Sequence, residues 1–176
     1  LHSAREAMHK GISLVPEDRK GQGLVLMQSI LKNISLANLD RFAGFMRIDA
    51  DAELQAALQQ AKSLAVKAPT LEARVDSLSG GNQQKVVIAK WLLSTPKVLI
   101  MDDPTRGIDV GAKYEIYKLM NELTEKGVSI IMISSELEEV LGMSDRVMVM
   151  HEGASTRTLD IGEANQERIM ALATGI

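Results

Sequence analysis

Short apolar runs, separated by polar or glycine-containing segments, divide the chain into predicted strands. Their lengths of four to six residues and their alternating or continuous apolar character are typical of strands rather than helices. We expect the run at 128–133 to be a buried strand, and a turn at 151–153 to join the last two strands. The predicted strands are 12–15, 98–101, 128–133, 145–150 and 155–159.

Helical periodicity fills the segments between these runs. In 51–64 the apolar residues Leu54, Ala57, Leu58 and Ala61 recur at intervals of three and four, which predicts an amphipathic helix. Strands that alternate with helices imply βα units, so we predict an α/β fold with a mainly parallel sheet flanked by helices. The predicted helices are 3–10, 29–39, 51–64, 83–93, 110–126 and 165–173, and another opens with a capping-box pattern at 135–138. Asp109 is expected to cap the helix 110–126, whose apolar face includes Tyr114 and Ile116, and 21–23 is expected to be a turn.

The pattern also predicts the organisation of the chain into parts. Residues 28–78 form a mostly helical insertion between strands, so the expected boundaries are 1–27, 28–78 and 79–176. Met27, Phe45 and Met46 are expected either in the core or at a contact with a partner. The charge run 17–20 is either a solvated surface loop or part of a binding site.

The stretch Leu78-Ser79-Gly80-Gly81-Asn82-Gln83-Gln84-Lys85 predicts a turn that runs into a helix. Ser79 is a favourable N-cap, and the two glycines let a backbone approach a ligand closely. The free N–H groups at a helix start suit an anion such as phosphate. An ordinary capped helix is the alternative explanation for these eight residues.

A second chemical signal follows after Pro96. The apolar run Val98-Leu99-Ile100-Met101 ends in Asp102 and Asp103, and a Gly-x-Asp loop with Asp109 comes next. In open α/β sheets, ligands bind at the carboxyl ends of strands, and a carboxylate there suits Mg²⁺. The alternative role for Asp102 is to cap the turn before Pro104.

These motifs together resemble the ATP-binding cassette (ABC) ATPases. LSGGNQQK is similar to their signature motif, VLIMDDP to their Walker B strand and GID to their D-loop. With VPEDRK, PTRGIDVGAK and ISSE, the chain resembles the second nucleotide-binding half of the tandem ATPases that drive bacterial monosaccharide importers of the ribose, galactose and xylose type. The resemblance implies a P-loop NTPase-like fold in which 28–78 is the helical subdomain.

The resemblance also implies nucleotide-binding residues. Two cassettes of this family meet head to tail, so the signature residues Ser79, Gly80, Gly81 and Gln83 serve the ATP held by the other cassette. Asp109, in the D-loop, and Glu17 are also expected to bind nucleotide. The implied cofactors are ATP and Mg²⁺, with Asp102 as the metal ligand.

Three positions depart from the family pattern. Glu17 takes the place of the Q-loop glutamine, Asp103 that of the catalytic glutamate and Ser135 that of the switch histidine. Asp103 keeps the carboxylate on a side chain one methylene shorter, and a misplacement of about 1 Å can cost about 10²-fold in rate. Ser135 cannot carry the histidine's charge and is expected to act mainly as a helix cap.

The remaining observations bound the function. The chain has no cysteine, a net charge of −3 that argues against a nucleic-acid partner, and no apolar run long enough to cross a bilayer. It begins with Leu1 and contains no G-x-x-x-x-G-K-[S/T] phosphate loop, so we expect an N-terminally truncated ATPase that does not bind ATP tightly alone.

The resemblance implies a peripheral protein on the cytoplasmic face of the bacterial inner membrane. Its expected partners are the first nucleotide-binding half or a second ATPase subunit, the permease subunits and, indirectly, a periplasmic sugar-binding protein. One alternative is a catalytically degenerate half that only completes the partner's ATP site. The other is an ABC protein of translation or DNA repair without a membrane partner.

Overall fold

The computed structural model describes residues 1–44 and 47–175 of the chain. Two compact units follow one another along it, Leu1–Ile131 and Met132–Ile176. Phe45 and Met46, which were predicted to lie in the core or at a partner contact, are outside the described residues. Met27, for which the same was predicted, is 70% exposed and is therefore not a core residue.

A three-stranded sheet carries the motif loops. Its strands, in the order β1-β2-β3, are Ile12–Val15, Val98–Asp102 and Ser129–Ile133. β1 and β2 are parallel, with Ile12 opposite Val98 and Val15 opposite Met101. Helix α1 (Ala4–His9) precedes β1 and is followed by Gly11 at φ +81°, a conformation that glycine adopts without strain.

Between β1 and β2 the chain is mostly helical, as predicted. It forms α2 (Ile30–Ser35), α3 (Ala50–Ser63) and α4 (Gly80–Leu92). The single predicted helix at 29–39 is wrong in its second half, where a 3₁₀ segment Leu36–Arg41 follows α2. Asn38 leaves the helical conformation there, and its side-chain amide donates to the Lys90 carbonyl at 3.0 Å.

Side chains of these helices and of β1 and β2 form the core of the first unit. Val86 to Ala89 of α4 are all inaccessible to solvent, as expected for a helix with little polar patterning. Helix α5 (Val110–Glu125) follows β2 and buries one face. Large core residues are Val15, Ile30, Ile34, Ile88, Leu99, Met101 and Ile116.

Two burial predictions are wrong. Ile131 and Ile133 of β3 are 52% and 48% exposed, because β3 lies at the edge of the described sheet instead of between two strands. Tyr114, expected on the apolar face of α5, is 71% exposed because only the Ile116, Leu119 and Leu123 side of that helix is buried.

The second unit has its own small core. Strands β4 (Arg146–His151) and β5 (Ala154–Asp160) form the predicted antiparallel hairpin. Helices α6 (Leu137–Met143) and α7 (Gln166–Thr174) contribute apolar side chains to its core. The buried cluster consists of Val147, Val149, Leu159 and Ile169. Within the described residues, no helix is long and apolar enough to span a membrane.

The capping box predicted at 135–138 does not form. Helix α6 begins at Leu137, which places Glu136 at the N-cap position. The Ser134 hydroxyl accepts the Glu136 N–H at 3.0 Å and donates to the Glu139 carboxylate at 2.7 Å. Ser134 therefore organises this turn, one residue earlier than the sequence pattern indicates.

Candidate functional site

The first turn of α4 presents backbone donors at the predicted phosphate-binding position. Ser79 occupies the N-cap with extended backbone angles, and the Gln83 N–H donates to its carbonyl at 2.9 Å. The N–H groups at the start of a helix have no intrahelical acceptor, and the Ser79 side chain accepts none of them. These donors therefore remain directed out of the helix, as an anion site requires.

The Ser79 hydroxyl is instead held by Asn82, which the sequence reasoning missed. The side-chain amide of Asn82 donates to Ser79 Oγ at 3.0 Å. The Asn82 carbonyl oxygen accepts the backbone N–H of Lys67 at 2.8 Å, which fixes the orientation of the amide. Because Ser79 Oγ is an acceptor in this pair, its own O–H can donate outward.

Gln83 lies on the buried side of α4, 5% exposed. Its Nε2 donates to the carbonyls of Val75 at 3.3 Å and Leu78 at 3.2 Å, so this amide stabilises the turn before the helix. Its Oε1 has no hydrogen-bond partner among the described residues. The nucleotide contact assigned to Gln83 stays a prediction.

The two signature glycines have a packing reason in addition to ligand approach. A Cβ on Gly80 would lie 3.0 Å from Arg19 Nη2 and 3.3 Å from the Gly107 carbonyl oxygen. A Cβ on Gly81 would lie only 2.5 Å from the Cβ of Ala112 in α5. The start of α4 thus packs directly on the loop after β2 and on the first turn of α5.

Arg19 connects the loop after β1 to the loop after β2. Its guanidinium donates to the carbonyls of Arg106 at 2.6 Å and Gly107 at 3.0 Å. Glu17 forms an exposed ion pair with Arg106. The turn expected at 21–23 lies within a π-helical turn, Arg19–Gly23, which is capped by Asp18, so the charge run 17–20 is not simply solvated surface.

The predicted carboxylates lie at the ends of β2 and of the following loop. Asp102 is the last residue of β2 and is half-buried. Asp103 has φ +40°, and its carbonyl accepts the Arg106 N–H at 3.0 Å, which closes the turn after the strand. Asp109 is the N-cap of α5, as predicted, and its Oδ1 accepts the Ala112 N–H at 2.9 Å.

These carboxylates do not form a closed metal cage. Among the described residues, no group of three or more histidine, cysteine, aspartate or glutamate side chains could hold a metal ion. Mg²⁺ at nucleotide sites uses one or two carboxylates with water and phosphate oxygens, so Asp102 alone at a strand end suits it. In the second unit, Ser135 is exposed in the turn between β3 and α6.

A buried cation fastens α4 to its neighbours. The Lys85 side chain is 6% exposed, pairs with Glu115 of α5 at 2.8 Å and donates to the Ala65 carbonyl at 3.2 Å. The hydrogen bond and charge of Lys85 lower the pKa of Glu115, and Lys67 contributes a further ion pair at 3.5 Å. Two contacts therefore join α4 to α5: the packing of Gly81 on Ala112 and the Lys85–Glu115 ion pair.

The site thus brings together the start of α4, the Arg106–Asp109 loop and the turn that contains Glu17. The sequence profile described as "ABC transporter" matches residues 2–106, which include β1, α4 and β2. The chain belongs to the ABC transporter family.

Similar proteins cover nearly the whole of this chain. The xylose import ATP-binding protein XylG of Thermoanaerobacter pseudethanolicus (strain ATCC 33223 / 39E) is 55% identical over 175 residues, which are 99% of this chain and 35% of that protein. The ribose import ATP-binding protein RbsA of Bacillus subtilis (strain 168) is 54% identical over 175 residues, which are 99% of this chain and 36% of that protein. The chain therefore spans about a third of the length of these curated ABC relatives.

A solved structure shows the same fold. The dimeric ATP-binding cassette MJ0796, in a post-hydrolysis state bound to ADP and Pi, has a TM-score of 0.74 and 21% identity. The match covers 92% of this chain and 68% of that one. The predicted α/β fold with a parallel sheet and flanking helices is thereby confirmed.

Proposed function

We propose that this chain is the second nucleotide-binding half of a tandem ATPase subunit that energises monosaccharide import. Support comes from relatives named for xylose and ribose import that are 54–55% identical across 99% of the chain. The same proposal places the subunit on the cytoplasmic face of the bacterial inner membrane, bound to permease subunits and, through them, to a periplasmic sugar-binding protein. Below, "the full-length subunit" means that tandem polypeptide.

The observation that carries the proposal is the exposed start of α4 beside the Arg106–Asp109 loop. Ser79 and the first N–H groups of α4 are directed outward and are not consumed by capping. They suit the γ-phosphate of an ATP held by the first half, which meets this half head to tail. Preorganised donors of this kind stabilise the negative charge that develops on a transferred phosphoryl group.

The chain's own nucleotide site would be completed by residues outside it. Asp102 would ligate Mg²⁺ there through water, and Mg²⁺ would supply charge neutralisation at the phosphates. Asp103 would occupy the position of the base. Its left-handed backbone, with φ +40°, directs the short side chain from a turn and not from a strand.

A specific set of residues favours a catalytically weak version of this half. Glu17 pairs with Arg106, Asp103 is shorter than glutamate, and Ser135 has no titratable group. We infer that this half contributes mainly its signature and D-loop to the partner's site. Hydrolysis in the full-length subunit would then depend chiefly on the first half.

A groove beside α2 is the proposed permease contact. It has a volume of about 250 Å³ and combines apolar side chains with the Lys32 ammonium and the Asn33 amide. Val25 and Leu36 on its walls are 43% and 45% exposed, and Met27, which precedes the lining residue Gln28 in sequence, is 70% exposed. An amphipathic cytoplasmic helix of a permease would bury these side chains. Its lining residues are Val25, Gln28, Lys32, Asn33, Leu36 and Leu39.

Reconstitution tests the proposed function. The full-length subunit, its permease and its sugar-binding protein are placed in liposomes, and the uptake of radiolabelled xylose and ribose is measured with and without ATP. We expect ATP-dependent accumulation of one monosaccharide. ATP hydrolysis with no accumulation of any monosaccharide, or a subunit that does not bind the permease, would refute the transport function.

A further inference from the structure

We propose that Arg19 is a positioning residue that holds the Arg106–Asp109 loop against the start of α4, so that both elements are placed to act on one nucleotide. The inference rests on the proposed function, since the nucleotide is the one held by the other half. It assigns a role to a residue that sequence patterns treat as one charge in a run.

The Arg19 guanidinium contacts both the loop after β2 and the start of α4. Two N–H groups of one guanidinium bind the consecutive carbonyls of Arg106 and Gly107, 87 and 88 residues away in sequence. The same Nη2 lies 3.0 Å from the position of a Cβ on Gly80. Gly80, the first helical residue of the signature, therefore lies where the Arg19 guanidinium occupies the space that a side chain would need.

The chemistry of this contact requires arginine. A guanidinium presents its donors in a rigid planar fork, which two adjacent carbonyls can accept together. A lysine ammonium is a point charge on a flexible stem and does not reproduce this two-point contact. The Glu17–Arg106 ion pair joins the same two segments, but both of its side chains are exposed and it holds them weakly.

Burial supports a role beyond surface charge. Arg19 Nε is buried and has no hydrogen-bond partner among the described residues, while Nη1 and Nη2 are used on the loop. An orphaned buried donor opposes folding, so stability alone does not account for an arginine here. The two carbonyl contacts instead fix where Gly107 and the following Asp109 lie relative to Ser79.

Loss of the Arg19 hydrogen bonds has a specific expected consequence. Without these contacts the loop keeps the Asp103–Arg106 turn hydrogen bond, the Asp109 cap and the exposed Glu17–Arg106 ion pair, and none of these three contacts involves α4. Its displacement relative to α4 would misplace groups that act together on one phosphate, and misplacement by about 1 Å can cost about 10²-fold in rate. Binding of ATP, which rests on the other half's phosphate loop, would be little changed.

The test uses Arg19→Lys in the full-length subunit with its permease, and Arg5→Lys as a matched control. Arg5 also pairs its guanidinium, with Asp40, but on the exposed surface of α1. We expect Arg19→Lys to lower kcat for ATP at least tenfold with KM within twofold of wild type. Arg5→Lys should leave both parameters unchanged.

Hydrogen exchange of the Arg106 amide provides a second readout, because that N–H donates to the Asp103 carbonyl within the loop and is expected to be less protected when Arg19 no longer holds the neighbouring carbonyls. It should exchange at least tenfold faster in Arg19→Lys. Gly80→Ala, whose methyl group displaces the same guanidinium, should accelerate the same amide and serves if Arg19→Lys does not fold. Unchanged exchange in the folded variant, unchanged kcat, or a loss confined to KM would overturn the proposal.

A further variant separates this proposal from the proposed function. If Ser79→Arg is inactive while Arg19→Lys turns over like wild type, the signature acts as proposed and only the Arg19 role is wrong. If Ser79→Arg also turns over like wild type, the assignment of the signature itself is wrong.

Discussion

Gly81→Ala tests whether packing between α4 and α5 sets the geometry of the signature. The added Cβ would lie 2.5 Å from Ala112 Cβ, whereas carbon atoms in contact are separated by about 3.5–4.0 Å. The shortfall is about 1 Å, and neither atom is the far end of a flexible side chain. One of the two helices must therefore move.

The expected cost has two parts. Overpacking of this kind destabilises proteins by about 1–3 kcal/mol. Displacement of the α4 start by about 1 Å would lower ATP turnover by about 10²-fold, since that start must be placed accurately against the phosphate. Thermal melting and steady-state ATP hydrolysis of the full-length subunit with its permease measure the two parts separately.

A compensating variant makes the reasoning sharp. In Gly81→Ala/Ala112→Gly the nearest remaining atom to the new methyl group is Ala112 Cα at 3.8 Å, an ordinary contact. We expect the double variant to recover at least tenfold of the lost turnover, although Gly in the first turn of α5 itself costs up to about 1 kcal/mol. Wild-type turnover in Gly81→Ala would refute the packing argument. If the double variant folds but Ala112→Gly does not restore its turnover, the methyl group collides with the nucleotide and not with α5.

Three further predictions follow from the same structure. Asp103→Asn in the full-length subunit should lower total ATPase less than about tenfold, whereas the matching change in the first half should abolish it; near-complete loss from Asp103→Asn would show that the shorter carboxylate is an efficient base. Leu36→Asp should weaken co-purification of the permease at least tenfold, because it places a charge on an apolar wall of the groove; the exposed Leu58→Asp, on α3, is the control. Burial of Glu53 raises its pKa, but the Lys32 and Ser35 hydrogen bonds and the Lys32 charge outweigh it, so the pKa is lowered from its ordinary 4.5. A lowered carboxylate pKa stabilises the fold above about pH 4.5, and that stability is lost as pH falls through the folded pKa. The melting difference between wild type and Glu53→Gln should therefore be constant from pH 6 to 8, worth about 1 kcal/mol, and should shrink below about pH 4.5; a pH-independent difference would contradict it.

Local patterns were sufficient for much of the fold. The three- and four-residue spacing in 51–64 predicted α3, and Asp109 with its following apolar face predicted α5 and its cap. The hairpin of β4 and β5 followed from two short runs around Gly153, which adopts φ +80°. In each case the deciding interactions lie within one element and its flanking turn.

The features that sequence reasoning missed depend on distant partners. Arg19 gains its role only where the chain brings it to the Gly107 carbonyl, 88 residues later. Asn38 breaks a periodic helix to reach the Lys90 carbonyl, 52 residues away. The apolar composition of β3 indicated burial, but exposure depends on which strands flank it, and no local pattern reports that.

For the candidate site, the motifs located the elements but not the hydrogen bonds. Ser79 is at the N-cap as predicted, yet its hydroxyl is held by Asn82 and not by a backbone N–H. The glycines after it were explained by ligand approach alone, whereas Ala112 and Arg19 occupy the space beside them. The predicted roles of Glu17, Gln83 and Ser135 toward nucleotide stay predictions.

ATP hydrolysis by the Ser79→Arg variant of the full-length subunit, reconstituted with its permease in liposomes, tests the central claim most directly. The substitution places a bulky cation where Ser79 and the first N–H groups of α4 would approach the other half's γ-phosphate. Ser79 lies at a helix start outside the core, so thermal melting should be unchanged. We predict a loss of at least tenfold in turnover, since removal of one preorganised donor typically costs about 10²–10³-fold in rate. Wild-type turnover in the folded variant would contradict the account.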